Sequence, residues 1–202
     1  FLILDKYKAA GISHERKYLF CAGGSFHKYD IAKEKKFRDV LANTKNCSLH
    51  YSRPELYKLL GNVETDYYFS YFNPIGQHKL DEQKRFFGLD IPKIYKSSIF
   101  GIPGEEGNGH LSIGAFEMML CGTVVITQKP ELYTHVGLVE NFHFLTFPEN
   151  FSNLQRLKDI LMDLERSRNI AEIRNNAYNF SMQEFDGDKY VNVWLELLNE
   201  KP

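Results

Sequence analysis

The residues best suited to chemistry lie in the stretch 107–127, GNGHLSIGAFEMMLCGTVVIT. Leu111, Ile113, Ala115, Phe116, Met118, Met119, Leu120 and Cys121 point in every direction around a helix, and Glu117 sits among them. A helix apolar all round is buried all round. The pattern therefore predicts a core helix over Leu111–Cys121, stopped by Gly122. An isolated carboxylate there is costly unless it is paired or hydrogen-bonded. Either a core Arg or Lys satisfies Glu117 or a ligand does. Two adjacent hydroxyls, such as those of a ribose, suit the two carboxylate oxygens. Asn108, Gly109 and His110 feed this helix, and Glu106 lies just before them. The free N–H groups and dipole at a helix start suit a phosphate, and glycine lets backbone approach the anion. An ordinary turn with an Asn cap reads the same loop more plainly, because a glycine-rich loop alone is a weak signal.

A second candidate is Cys21-Ala22-Gly23-Gly24-Ser25-Phe26-His27-Lys28. A buried strand, Tyr18 to Ala22, is expected to end at Gly23-Gly24. Lys28 would supply a cation to a phosphate, with Ser25 and the Gly24 N–H as helpers. A solvated lysine on a tight turn fits equally well. His27 and Arg53 read better as surface residues than as site residues.

These segments need elements to hold them. Short apolar runs alternate with amphipathic runs along the whole chain. Strands are predicted at Ser48–Tyr51, Tyr67–Phe72, Ser98–Ile102, Val124–Thr127 and Phe142–Phe147. Helices are predicted at Ala32–Leu41, Pro54–Leu60, Pro130–Val136, Leu154–Leu164, Ile170–Phe180 and Tyr190–Leu198. Such alternation implies parallel βαβ units, and strands apolar on both faces imply helices on both sides. The expected fold class is α/β: an open, mostly parallel, Rossmann-like sheet. Ligands meet such sheets at the carboxyl ends of the strands. The loops after Ala22, Ile102 and Thr127 are thus the candidate ligand loops. The run Tyr67–Phe72, five aromatic residues with Ser70, is first of all a core strand, not a sugar-stacking platform.

Composition narrows the function classes. The net charge of −1 provides no global positive field for nucleic acid. The Lys/Glu-rich run 33–38 is a solvated helix face. The three cysteines, Cys21, Cys47 and Cys121, match no zinc spacing and fit reduced thiols of a cytoplasmic protein. No apolar run approaches the ~18 residues of a membrane span, so no transmembrane segment is expected. There is no P-loop, GxSxG elbow, HExxH or EF-hand. No motif calls for a cofactor, and without an Asp-x-Asp cluster no metal is expected.

Over Lys96–Trp194 the chain resembles the C-terminal donor-binding domain of GT-B glycosyltransferases, of the group-1 and spore-protein-like type. Those families carry a helix reading roughly E-A-x-x-x-G and then a strand of the P-V-V-x-T kind. Here Glu117-Met118-Met119-Leu120-Cys121-Gly122 precedes Thr123-Val124-Val125-Ile126-Thr127. Pro130-Glu131-Leu132 with Val136, then Phe142–Phe147, then the paired helices from Leu154 continue the series. The resemblance implies a metal-independent hexosyltransferase-type enzyme that takes a sugar from a nucleotide-diphosphate donor to an unknown acceptor. It implies that Glu117 holds the ribose and that the preceding loop meets the diphosphate or sugar. Group-1 enzymes often carry another Glu eight residues before Glu117, and Gly109 stands there, with Glu105 and Glu106 nearby. Ser25 likewise stands where an Arg is usual. Both departures keep open a non-catalytic binding or assembly module of the same fold. The expected organisation is a single nucleotide-sugar-binding domain over 1–202. A chain that starts at Phe1 also fits a fragment lacking an N-terminal acceptor domain.

Overall fold

The computed structural model describes residues 2–13, 15–25, 67–72, 88–103, 111–147 and 154–186. Their elements, in chain order, are α1 (Leu2–Ala10), β1 (Tyr18–Ser25), β2 (Tyr67–Phe72), α2 (Ile91–Lys96), β3 (Ser98–Ile102) and α3 (Ile113–Leu120). There follow β4 (Val124–Thr127), α4 (Pro130–Thr134), β5 (Leu145–Thr146), α5 (Leu154–Ser167) and α6 (Ile170–Glu184). All strand pairs are parallel, and the order is β2-β1-β3-β4-β5.

Side chains alternate across a strand, and here both sets are buried. Phe20, Ala22, Phe100, Ile102, Val124 and Ile126 face one side, where Leu157 and Leu161 of α5 and Ile170 and Ile173 of α6 cover them. Cys21 and Val125 face the other, against Leu4 and Tyr7 of α1, Tyr95 of α2, Met118 and Met119 of α3, and Ala177 of α6. Helices on both faces of a parallel sheet make this a doubly wound α/β fold.

The strand order reverses between β1 and β3, which is the switch point of such a sheet. β1 pairs with β3 as far as Ala22↔Ile102 but with β2 as far as Ser25↔Phe72. Gly23, Gly24 and Ser25 thus carry β1 past its pairing with β3 by roughly 10 Å, at ~3.3 Å per residue. This differs from a strand ended by Gly23-Gly24: the two glycines are strand residues. Their backbone lies beside the crevice at the switch point.

β2, β3 and β4 have the bounds that the sequence predicts. Other elements differ. α1 and α2 are additional helices. α3 is shorter than Leu111–Cys121 and is not buried all round, since Ile113 at its first position is 54 % exposed. The strand expected over Phe142–Phe147 shrinks to Leu145–Thr146, because Asn141 turns the chain with φ of 60° and Phe142 faces solvent. The strand at Ser48–Tyr51 and the helices at Ala32–Leu41, Pro54–Leu60 and Tyr190–Leu198 lie outside the described residues. Among the described residues no helix is long and apolar enough to cross a membrane.

The end of α3 is fixed with unusual economy of space. The Thr123 N–H bonds to the Met118 carbonyl at 2.9 Å and the Gly122 N–H to the Met119 carbonyl at 2.9 Å. Together they form a Schellman cap with Gly122 in the left-handed region, φ 67°. Arg16 then clamps this turn to the sheet. Its Nη1 donates to the carbonyls of Lys96 and Ser98, and Nη2 to that of Gly122, each at 2.7 Å. Burial, with Arg174 adding repulsion, pushes the Arg16 pKa down to about 10, which leaves it a cation at neutral pH.

A Cβ on Gly122 would stand 2.9 Å from Ile12 Cγ1, and a left-handed non-glycine residue itself costs ~1–2 kcal/mol. Gly122→Ala should therefore destabilise the protein by about 2–3 kcal/mol. A urea-unfolding midpoint shows it; an unchanged midpoint would mean that the turn relaxes freely.

Candidate functional site

The site is built around α3. It connects β3 to β4, so its N-terminus stands at the carboxyl end of β3, beside the β1/β3 switch point. Ser112 caps it: its side chain accepts the Gly114 N–H at 3.3 Å and its carbonyl accepts the Ala115 N–H at 3.0 Å. A serine hydroxyl is among the best N-cap acceptors, and it sets the helix start at Ile113. Asn108, Gly109 and His110 therefore do not open the helix. The first-turn amides that could meet an anion include that of Ile113, which the sequence alone did not single out.

Glu117 lies one turn into α3, about 6 Å below Ile113 at ~1.5 Å per residue. It is partly buried. Its Cα–Cβ bond leans toward the helix N-terminus, as in every helix, and hence toward the carboxyl ends of the strands. Its flank of α3 faces α1. One turn further on, the Cys121 thiol approaches the Tyr7 carbonyl at 4.0 Å. Tyr7 is 3 % exposed, and its ring stacks on Tyr95 with centroids 6.1 Å apart and planes 22° apart.

The Tyr7 phenol and the Glu117 carboxyl lie near enough to perturb each other's ionisation. The cationic charge nearest to Glu117 is that of Lys6 on α1. Burial pushes the Glu117 pKa above its ordinary value, while the Tyr7 hydrogen bond and the charge of Lys6 pull it back in part. The Tyr7 phenol is pushed up in turn, first by burial and then by the facing carboxylate.

Of the other residues singled out in the sequence, Gly24 and Ser25 lie in β1, paired with Tyr71 and Phe72. Glu106, Asn108, Gly109, His110 and Lys28 lie outside the described residues, as do His27 and Arg53. Cys21 and Cys121 are free and buried, and burial pushes both thiols up to about 12. They are protonated at neutral pH and are not nucleophiles.

This arrangement is a GT-B type fold, in the form of one Rossmann-like half. HepE of Anabaena, solved in complex with UDP, has this fold at a TM-score of 0.50 and 16 % identity. The match covers 92 % of this chain and 50 % of HepE. The chain thus spans about half the length of that relative. Two more distant likenesses are the C-terminal domain of a group 1 family glycosyl transferase, LpcC, from Francisella tularensis, and TarM. The first has a TM-score of 0.44 and 15 % identity over 90 % of this chain and 91 % of that one. The second has a TM-score of 0.49 and 11 % identity over 94 % of this chain and 37 % of TarM. No protein-family model and no curated protein sequence matches the chain.

The raised Glu117 pKa has a consequence for stability. The folded state holds this proton more tightly than the unfolded chain does, whose ordinary value is 4.5. Ionisation therefore weakens the fold as pH rises from there through the folded value. Glu117→Gln removes that cost and keeps an acceptor for Tyr7. Urea melts should show the variant as stable as wild type, or more so, at pH 7.5, with the gap closed at pH 4. A large loss at pH 7.5 would instead reveal a buried cation left without its counter-charge.

Proposed function

We propose that this chain is the donor-binding half of a glycosyltransferase that takes a sugar from a nucleotide-diphosphate donor. The observation that carries the reading is Glu117: a half-buried carboxylate set into an apolar helix beside the switch-point crevice, with its Cα–Cβ bond leaning toward the carboxyl ends of the strands. A carboxylate has about four lone-pair sites, enough to accept from two ribose hydroxyls at once. The first turn of α3 presents N–H groups and the positive end of its dipole to the diphosphate. Asn108, Gly109 and His110 lead the chain into that turn, and Glu106 stands near enough in sequence to meet the sugar. On the opposite wall, Gly24 and Ser25 bring backbone close without bulk, and Lys28 follows as the cation.

In this reading the protein's chemical contribution is electrostatic. As the glycosidic bond breaks, negative charge grows on the departing diphosphate, and donors already in place stabilise it without reorganising. The acceptor would come from a separate domain, consistent with the chain spanning half of HepE. The 202 residues form the donor unit by themselves. Gly109, in the place of the usual upstream Glu, favours one other reading, a binding module without transfer activity. A donor-hydrolysis assay separates the two.

Millimolar UDP, GDP, ADP or CDP should raise the melting temperature, since a ligand at a hundred times its dissociation constant stabilises by ~2.7 kcal/mol. Glu117→Gln should weaken the best of them by about 1–3 kcal/mol, the worth of a hydrogen bond to a charged group. If none of the four shifts the melt, the proposed function fails.

A further inference from the structure

We propose that His143 is a pH-sensitive clasp: its neutral ring holds the turn 139–143 closed ahead of β5, and a proton on the ring releases it. The turn is tied twice to one residue. The His143 N–H donates to the Val139 carbonyl at 2.8 Å. In return the Val139 N–H donates to His143 Nδ1, also at 2.8 Å. A neutral imidazole has one donor and one acceptor nitrogen, so a ring that accepts at Nδ1 carries its proton on Nε2. The charged imidazolium donates from both nitrogens. It cannot accept the Val139 N–H, and two N–H groups would then face each other across the turn.

The surroundings favour the neutral form. His143 is buried, with Phe142 edge-on at 4.8 Å and Phe180 of α6 at 5.2 Å between ring centroids. The titratable groups nearest along the chain to these contacts are Tyr133 on α4, His135, Glu140 in the turn, and Glu184 on α6, one turn beyond Phe180. His135 and Glu140 are exposed, and the Tyr133 ring packs on Phe144. Burial lowers the His143 pKa from its ordinary 6.5, with no charge opposing it. The closed turn thus takes up a proton less readily than the open one. Its stability is full above that ordinary value and falls as pH drops below it. The clasp guards the edge of the described sheet. Leu138 and Phe144 are buried on either side of the turn, the Asn141 N–H donates to the Phe144 carbonyl at 2.8 Å, and Phe144 leads into β5, which among the described strands pairs with β4 alone. None of this depends on the functional reading above.

Amide hydrogen exchange of the full chain, read by NMR at the Val139 N–H, tests the clasp. Between about pH 7.5 and 5.5, wild-type protection should fall by up to about tenfold per pH unit once pH is below the ordinary histidine value. His143→Asn places an amide oxygen where Nδ1 stands and does not titrate, so its protection at Val139 should not fall with pH. His143→Phe keeps a ring and removes the acceptor, so its protection should be low at every pH. Wild-type protection that does not change with pH overturns the proposal, as does an equal fall in H143N or wild-type protection in H143F. If the variants do not fold, nitrogen-15 NMR of the wild-type imidazole decides. A bare Nδ1 at neutral pH, gaining its proton in step with the loss of Val139 protection, supports the clasp; a proton already on Nδ1 overturns it.

Discussion

The close approach of α3 to the sheet is the constraint on which the rest depends. Gly101 makes it possible: a Cβ there would stand 2.5 Å from Met118 Sδ and 3.0 Å from Thr123 Cγ2. Met118 fills that space and locks the helix down onto β3. Gly122 then turns the chain in a conformation that other residues resist, and Arg16 ties the Gly122 carbonyl to those of Lys96 at the end of α2 and Ser98 at the start of β3. With its lower end fixed and its upper end capped by Ser112, α3 has little freedom to rotate. The depth and direction of Glu117 follow from that.

Burial and hydrogen bonding pull Glu117 in opposite directions. An apolar flank favours the neutral acid, whereas Tyr7 and Lys6 favour the charged one. A purely structural position would gain nothing from a carboxylate there, since an apolar residue would avoid the cost of desolvation. A carboxyl in such a place makes sense beside a ligand that donates hydrogen bonds. Cys21 and Cys121 differ in that burial pushes both thiols up to about 12, and they stay protonated at neutral pH.

Much of this was legible in the chain itself. Ser98–Ile102 and Val124–Thr127 are mostly apolar, as strands buried on both faces require, and Tyr67–Phe72 holds five aromatic residues. α1 was not legible, because a nine-residue helix draws its stability from packing and not from its own propensity; Gly11, with φ of 62° just past its end, was the available sign. α2 carried a fuller signature, Asp90 as cap with Pro92 in the first turn, in a segment too short to show a period. The start of α3 lies later than expected because Ser112 caps it. Glu117 stood out because a charge interrupts an apolar helix, but nothing in sequence spacing ties this flank of α3 to α1. That packing exists only in three dimensions, as does the extension of β1 through Gly23, Gly24 and Ser25.

The central claim is that the β1/β3 crevice is a nucleotide site with Glu117 at its wall, and a crystal structure of the chain with UDP tests it most directly. The account predicts the diphosphate at the first turn of α3, near Ile113, and a ribose hydroxyl within about 3 Å of a Glu117 oxygen. Nucleotide density elsewhere on the protein, or a ribose far from Glu117, would contradict it.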